Sequence, residues 1–106
     1  MKETFIVSAV RTPVAKAPTG KLRTVRADDL AARVIKEVLA RMPQLPAEQV
    51  EDVVLGCAMP EGPQGMNVAR IACQRADLPD TVPAVTVNRF CASGLEAIAI
   101  ASQRVW

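Results

Sequence analysis

The chain has 106 residues, a length that suits one small domain, and half of them are hydrophobic. Its net charge is +2, and its scattered basic residues lack the interleaved aromatics of a nucleic-acid-binding stripe, so we expect no nucleic-acid partner. It has no histidine and no Cys-x-x-Cys pair, so we expect no metal site.

The first predicted element is a β-strand over residues 4–10, which is apolar on both faces like a central parallel strand. Pro13 ends this strand, because proline cannot donate to a sheet ladder. A loop over residues 13–27 follows, and the basic side chains in it or just before it are Arg11, Lys16, Lys21, Arg23 and Arg26. Such a loop can attract a phosphate, but a solvated surface is the more common meaning and the one we favour.

A helix is predicted next, with Asp28 or Asp29 as its N-cap and Pro43 as its end. Its apolar side chains recur at helical spacing and should face the core. They are Leu30, Val34, Ile35, Val38, Leu39 and Met42.

A second strand is predicted over residues 52–58, and Asn67 then caps a second helix that runs to about residue 76. A third strand over residues 84–88 leads into a third helix. The order β-α-β-α-β-α predicts an α/β fold with right-handed crossovers and a parallel sheet.

Cys91 lies between the third strand and the last helix, in the segment VNRFCASGL. A thiol at the first turn of a helix faces unpaired N–H groups and the positive end of the helix dipole. Both favour the thiolate, which is the nucleophilic form. The competing interpretation is an inert buried cysteine, and from position alone this interpretation is the more common one.

A catalytic cysteine normally needs a neighbouring base, and histidine is the usual one. The chain has no histidine, and no Lys, Asp or Glu flanks Cys91 closely; Glu96 lies about one helical turn further on. If Cys91 is a nucleophile, its base must come from outside this chain.

The last helix is apolar on nearly every side over residues 95–101, and such a helix is normally buried between layers. Three strands and two other helices can cover only one side of it. We therefore expect that the chain ends before the structure that covers this helix.

Three cysteines, at positions 57, 73 and 91, form an odd and widely spaced set, and no secretory signal is recognisable. We therefore expect a reducing compartment and a cytoplasmic location. No run approaches the roughly 18 apolar residues of a membrane span, so we expect no membrane partner. Cys57 and Cys73 are interpreted as core residues.

Residues 87–98 resemble the active-site cysteine signature of the thiolases, in particular the 3-ketoacyl-CoA thiolases and acetyl-CoA acetyltransferases. Further segments are similar to the family's first strand, loop, first helix, second strand and second helix: residues 9–13, 20–22, 29–30, 54–56 and 64–70. Phe90 and Ala92 differ from the commonest residues of the signature, which leaves the preferred acyl-chain length open.

The resemblance implies an acyltransferase of fatty acid metabolism and β-oxidation. Cys91 would be acylated by an acyl-CoA or 3-ketoacyl-CoA. The acyl group would then pass to CoA in thiolysis, or to the α-carbon of acetyl-CoA in Claisen condensation. CoA thioesters would be substrates, with no tightly bound cofactor and no assigned CoA-binding residue. The family's two histidine motifs and second cysteine come later in its sequence, so we expect this chain to be inactive alone.

The resemblance also implies a fold of two similar halves stacked in five α/β/α/β/α layers, and homodimers or homotetramers. Residues 1–106 would form an incomplete N-terminal domain that ends in the active-site cysteine helix. The alternatives are one component of a split thiolase and a non-catalytic remnant. A ketoacyl synthase-like protein is less favoured, because residues 9–13 and 64–70 fit a thiolase better.

Overall fold

The computed structural model describes residues 3–105 and shows two short strands between three helices. The elements are helix α1 (Ala27–Ala40), strand β1 (Val53–Gly56), helix α2 (Val68–Arg75), strand β2 (Ala84–Val87) and helix α3 (Ser93–Arg104). The two strands pair in parallel, from Val53 opposite Ala84 to Gly56 opposite Val87, and α2 forms the crossover between them. The predicted α/β class is confirmed. Within the described residues, no helix is long and apolar enough to cross a bilayer.

The strand predicted over residues 4–10 is not formed, because this segment pairs with neither β1 nor β2. The side chains of Phe5, Ile6 and Val7 are all exposed. An apolar run shows that a segment prefers burial, but it does not supply the neighbours that a strand needs on both faces. Within residues 3–105, the Thr4 hydroxyl joins this segment to a helix, since it exchanges hydrogen bonds with Ser102 of α3.

The predicted cap of the first helix is wrong, because α1 begins at Ala27 with Arg26 as its N-cap. Asp28 instead lies inside the first turn, where its side chain is buried. The Arg26 guanidinium donates two hydrogen bonds of 3.0 Å to its carboxylate, and Arg75 of α2 lies 3.8 Å from it. Arg75 also donates to Asp29. The carboxylates therefore join α1 to α2 rather than cap α1.

A small core lies between α1, α2 and the strands. Its buried members are Ala32, Cys73, Ala76, Leu78 and Val82. Ile35 and Leu39 of α1 pack against this cluster, so the predicted apolar face of α1 does face the core. Most core side chains are small, which lets the two helices approach each other closely.

The prediction that Asn67 caps α2 is confirmed, since its side chain accepts a hydrogen bond from the Arg70 N–H. The same side chain donates to the Ala84 carbonyl at 2.9 Å and accepts from the Thr86 hydroxyl at 2.8 Å. The Thr86 oxygen in turn accepts from the Ala69 N–H at 3.0 Å. These bonds fix the start of α2 against β2, the strand that leads to Cys91.

Replacing Asp28 with Asn should destabilise the chain by about 1–3 kcal/mol at neutral pH, because charge-assisted hydrogen bonds from Arg26 are lost. Those bonds lower the pKa of Asp28 below its ordinary value of 3.8. A carboxylate whose pKa is lower in the folded state than in the unfolded state stabilises the fold at pH values above the unfolded-state pKa. This stabilisation is lost as the pH falls through the folded-state pKa. Urea unfolding should therefore show a stability gap that closes as the pH falls below 3.8.

Asp77→Asn is the matched control, since its carboxylate is 82% exposed and pairs with Lys36 on the surface. Exposed ion pairs contribute little, so this variant should match the wild type within about 0.5 kcal/mol. A gap for Asp28→Asn that stays constant far below pH 3.8 would contradict the role given to its charge.

Candidate active site

Cys91 lies beyond the carboxyl end of β2, in the 3₁₀ turn Phe90–Ala92 that runs directly into α3. Cys57 follows β1, and in a parallel sheet the carboxyl ends of neighbouring strands meet at one edge. Cys91 is exposed in this structure, whereas Cys57 and Cys73 are buried. The interpretation of Cys57 and Cys73 as core residues is confirmed. An inert buried cysteine does not describe Cys91.

The buried Cys73 thiol has the opposite environment from an activated nucleophile. It is fully enclosed between α1 and α2, and burial raises its pKa above the ordinary value. A raised pKa keeps this thiol protonated near neutral pH, and the thiol form is the unreactive one. Among the three free cysteines, the exposed one is therefore the candidate for covalent chemistry.

The backbone around Cys91 forms a tight turn with most of its N–H groups already bonded. The Phe90 N–H donates to the Asn88 side chain at 2.8 Å, and the Ala92 N–H donates to the Arg89 carbonyl at 3.0 Å. The Cys91 N–H forms no hydrogen bond with any of residues 3–105. It is thus a free backbone donor on the same residue as the thiol.

Strand β1 approaches the start of α3 so closely that only glycine fits at position 56. A Cβ on Gly56 would lie 2.5 Å from the carbonyl carbon and oxygen of Ser93, and 2.7 Å from the Gly94 nitrogen. Real Cβ atoms do not come this close to backbone atoms, so the first turn of α3 would have to move. This contact therefore sets how far Cys91 stands from the sheet.

The nearest carboxylate along α3 is that of Glu96, and it forms an ion pair with Arg89. Arg89 donates to Glu96 at 2.6 Å, which joins the segment before Cys91 to the first turn of α3. The Cys91 thiol itself makes no hydrogen bond to another residue in the described part of the chain. The expectation that a base must come from elsewhere therefore stays a prediction.

Only one face of α3 is covered here. Ser93 and Ala97 are buried against β1, whereas Leu95 is 72% exposed and Ile98 is 58% exposed. The helix that the sequence marks as apolar all round thus presents an open apolar face beside the candidate nucleophile.

The basic loop takes no part in this arrangement. Arg26 is used by the ion pair with Asp28, and Arg11 donates to the adjacent Thr12 carbonyl. Lys16, Lys21 and Arg23 are exposed and form no ion pair within residues 3–105. Lys16 and Arg23 line one small cavity within the loop.

Comparison with known proteins assigns a family to this arrangement. Over 105 residues the chain is 51% identical to a 3-ketoacyl-CoA thiolase of Bacillus subtilis (strain 168), covering 99% of this chain and 27% of that protein. It is 47% identical to the 3-oxoadipyl-CoA/3-oxo-5,6-dehydrosuberyl-CoA thiolase of Escherichia coli (strain K12), over 99% of this chain and 26% of that protein. A beta-ketoadipyl-CoA thiolase of Pseudomonas knackmussii is also 47% identical, over 98% of this chain and 26% of that protein.

Residues 4–106 match the family model for the thiolase N-terminal domain. The chain therefore belongs to the thiolase family, and the resemblance found in the sequence is confirmed. It spans 26% to 27% of the length of these curated relatives.

Gly56→Ala should destabilise the chain by about 1–3 kcal/mol, as overpacking does, and should displace the start of α3. Gly94→Ala is a matched control, because nothing lies within 4 Å of the position its Cβ would take. Alanine suits a helix better than glycine by up to about 1 kcal/mol, so this control should be neutral or stabilising. Urea unfolding measures both, and equal stability of the two variants would contradict the close approach.

Proposed function

We propose that this chain carries the nucleophile of an acyltransferase that acts on CoA thioesters, with Cys91 forming an acyl-thioester. The observation that supports it is an exposed thiol held at the carboxyl edge of a parallel sheet, directly before a helix N-terminus. Ligands bind at this edge in α/β folds generally. The relatives that match the chain are thiolases with 3-ketoacyl-CoA and β-ketoadipyl-CoA in their names.

In the proposed thiolysis, the Cys91 thiolate attacks the 3-keto carbonyl carbon of a 3-ketoacyl-CoA. The bond between carbons 2 and 3 breaks, and acetyl-CoA leaves after its carbanion takes a proton. The thiol of a free CoA then attacks the acyl group, which releases a shortened acyl-CoA and returns the thiolate. The reverse sequence is a Claisen condensation. Covalent capture divides one difficult acyl transfer into two easier steps.

The free N–H of Cys91 supports a second part of the proposal. When the thiolate attacks a carbonyl, negative charge develops on its oxygen, and backbone N–H donors stabilise that charge strongly. A donor on the nucleophile's own residue is suited to this role because it lies close to the new carbon–sulfur bond.

We assign the proton transfers to groups outside this chain. It has no histidine, and the Glu96 carboxylate is paired with Arg89. We therefore place the bases and the second cysteine of the reaction outside these 106 residues. A homodimer or homotetramer and a cytoplasmic location complete the proposal, and three unpaired cysteines fit a reducing compartment.

The test is intact-mass analysis after incubation with acetyl-CoA or acetoacetyl-CoA. We expect one slowly formed acyl adduct, because thiol–thioester exchange needs only a thiolate and an accessible site. Cys91→Ala should lose the adduct, and Cys73→Ala should keep it because that thiol is buried. Steady-state thiolysis should be absent, since loss of cooperating catalytic groups costs about 10³-fold or more.

Two outcomes would contradict the proposal. Equal labelling of the wild type and Cys91→Ala would remove the nucleophile from position 91. Robust thiolysis of acetoacetyl-CoA by the isolated chain would show that its bases lie within these residues after all.

A non-catalytic role in association is the second candidate, and the exposed apolar surface favours it. Phe5, Ile6 and Val7 are exposed at one end of the chain, and Leu95 and Ile98 are exposed on α3. Apolar surface of this kind promotes association. Sedimentation should then show oligomers that Leu95→Lys weakens, whereas a compact monomer at all concentrations would exclude this role.

A further inference from the structure

The turn that presents Cys91 contains a strained residue. Phe90 has a φ of 46°, in the left-handed region that residues with a side chain other than Asn and Asp seldom adopt. The residue is 69% exposed, so packing does not impose this conformation. Something else must hold the backbone there, since such strain persists only where the surroundings determine it.

Ser93 provides part of that restraint, beside the hydrogen bond that the Phe90 N–H donates to the Asn88 side chain. The Ser93 side chain is buried, with 4% of the residue exposed, and both hydrogen-bonding functions of its hydroxyl are used within the turn. The oxygen accepts from the Arg89 N–H at 2.9 Å, and the hydroxyl donates to the Phe90 carbonyl at 2.6 Å. One bond holds the Asn88–Arg89 peptide by its N–H and the other holds the Phe90–Cys91 peptide by its carbonyl, so together they bracket Arg89 and Phe90.

The consequence for Cys91 follows from the order of these residues. The Ser93 hydroxyl donates to the carbonyl of the peptide that joins Phe90 to Cys91. The orientation of this peptide decides where the thiol points relative to the N-terminus of α3. If Phe90 relaxed to a negative φ, this peptide would rotate and the thiol would leave the helix dipole.

We propose that Ser93 is a positioning residue for Cys91, which acts by holding Phe90 in the left-handed conformation. The proposal deepens the proposed function and rests on it for its biological meaning. Ser93 does not touch the reacting atoms; it fixes the turn on which the nucleophile is presented.

The test is the rate at which iodoacetamide alkylates Cys91 in the full 106-residue chain at neutral pH, mapped by peptide mass spectrometry. Ser93→Ala should lower this rate roughly threefold, the effect expected when a charge loses a helix N-terminus. Ser93→Thr keeps the hydroxyl and should restore most of the rate. Ser102→Ala removes a hydroxyl from the far end of the same helix, where it donates to Thr4, and should change nothing.

A purely structural role predicts a different pattern. If Ser93→Ala retains the wild-type circular dichroism spectrum and is alkylated at the wild-type rate, the proposal is overturned. If Ser93→Ala loses helix content, the double variant Phe90→Asn/Ser93→Ala distinguishes positioning from a structural role, because Asn adopts positive φ readily. Recovery of the rate in the double variant supports the proposal, and its absence overturns it.

Iodoacetamide needs only a reactive thiol and no CoA thioester. Failure of acetyl-CoA to label Cys91 would therefore count against the proposed function alone. An unchanged alkylation rate in folded Ser93→Ala would count against the positioning role alone.

Discussion

The contact between the end of β1 and the start of α3 is the constraint on which the candidate site depends. At Gly56 the strand backbone touches the backbone of Ser93 and Gly94 with no room for a side chain. This contact fixes the helix against the sheet edge, and the turn that carries Cys91 must then span a set distance. The Ser93 hydroxyl bonds to two backbone groups of that same turn.

The other side of the sheet is braced by charge rather than by close backbone contact. The buried Asp28 carboxylate receives Arg26 from its own helix start and Arg75 from α2, so it joins the two helices that enclose the small core. Burying a carboxylate is costly unless it is paired and hydrogen-bonded, and here both conditions are met. From α2 the Asn67 and Thr86 bonds continue to β2, which leads directly to the turn. These polar contacts therefore connect the packing of the helices with the placement of the candidate nucleophile.

Much of this arrangement was predictable from local sequence, because local rules decide it. Asn67 caps α2 as its residue type and position indicate, and the helical spacing of α1 identified its inward face. The strand expected over residues 4–10 failed because pairing depends on distant neighbours, which a hydrophobic run does not specify. Asp28 is a residue type that suits a cap, but its carboxylate instead accepts two hydrogen bonds from Arg26 and lies 3.8 Å from Arg75 of α2. The left-handed Phe90 is not predictable either, since the bonds to its backbone come from the Asn88 side chain and from a serine three residues on.

The uncovered surfaces and the candidate nucleophile lie at the same edge of the sheet. An exposed thiol, an unbonded N–H on the same residue and an open apolar helix face lie together at the sheet edge. Acyl transfer needs the opposite environment at the moment of reaction, because exclusion of water strengthens the electrostatic stabilisation of the developing oxyanion. In the proposed reaction, groups that cover the apolar face of α3 would exclude water from this edge. Under the proposed function, the chain holds the nucleophile in place, and acyl transfer depends on a cover for the apolar face beside it.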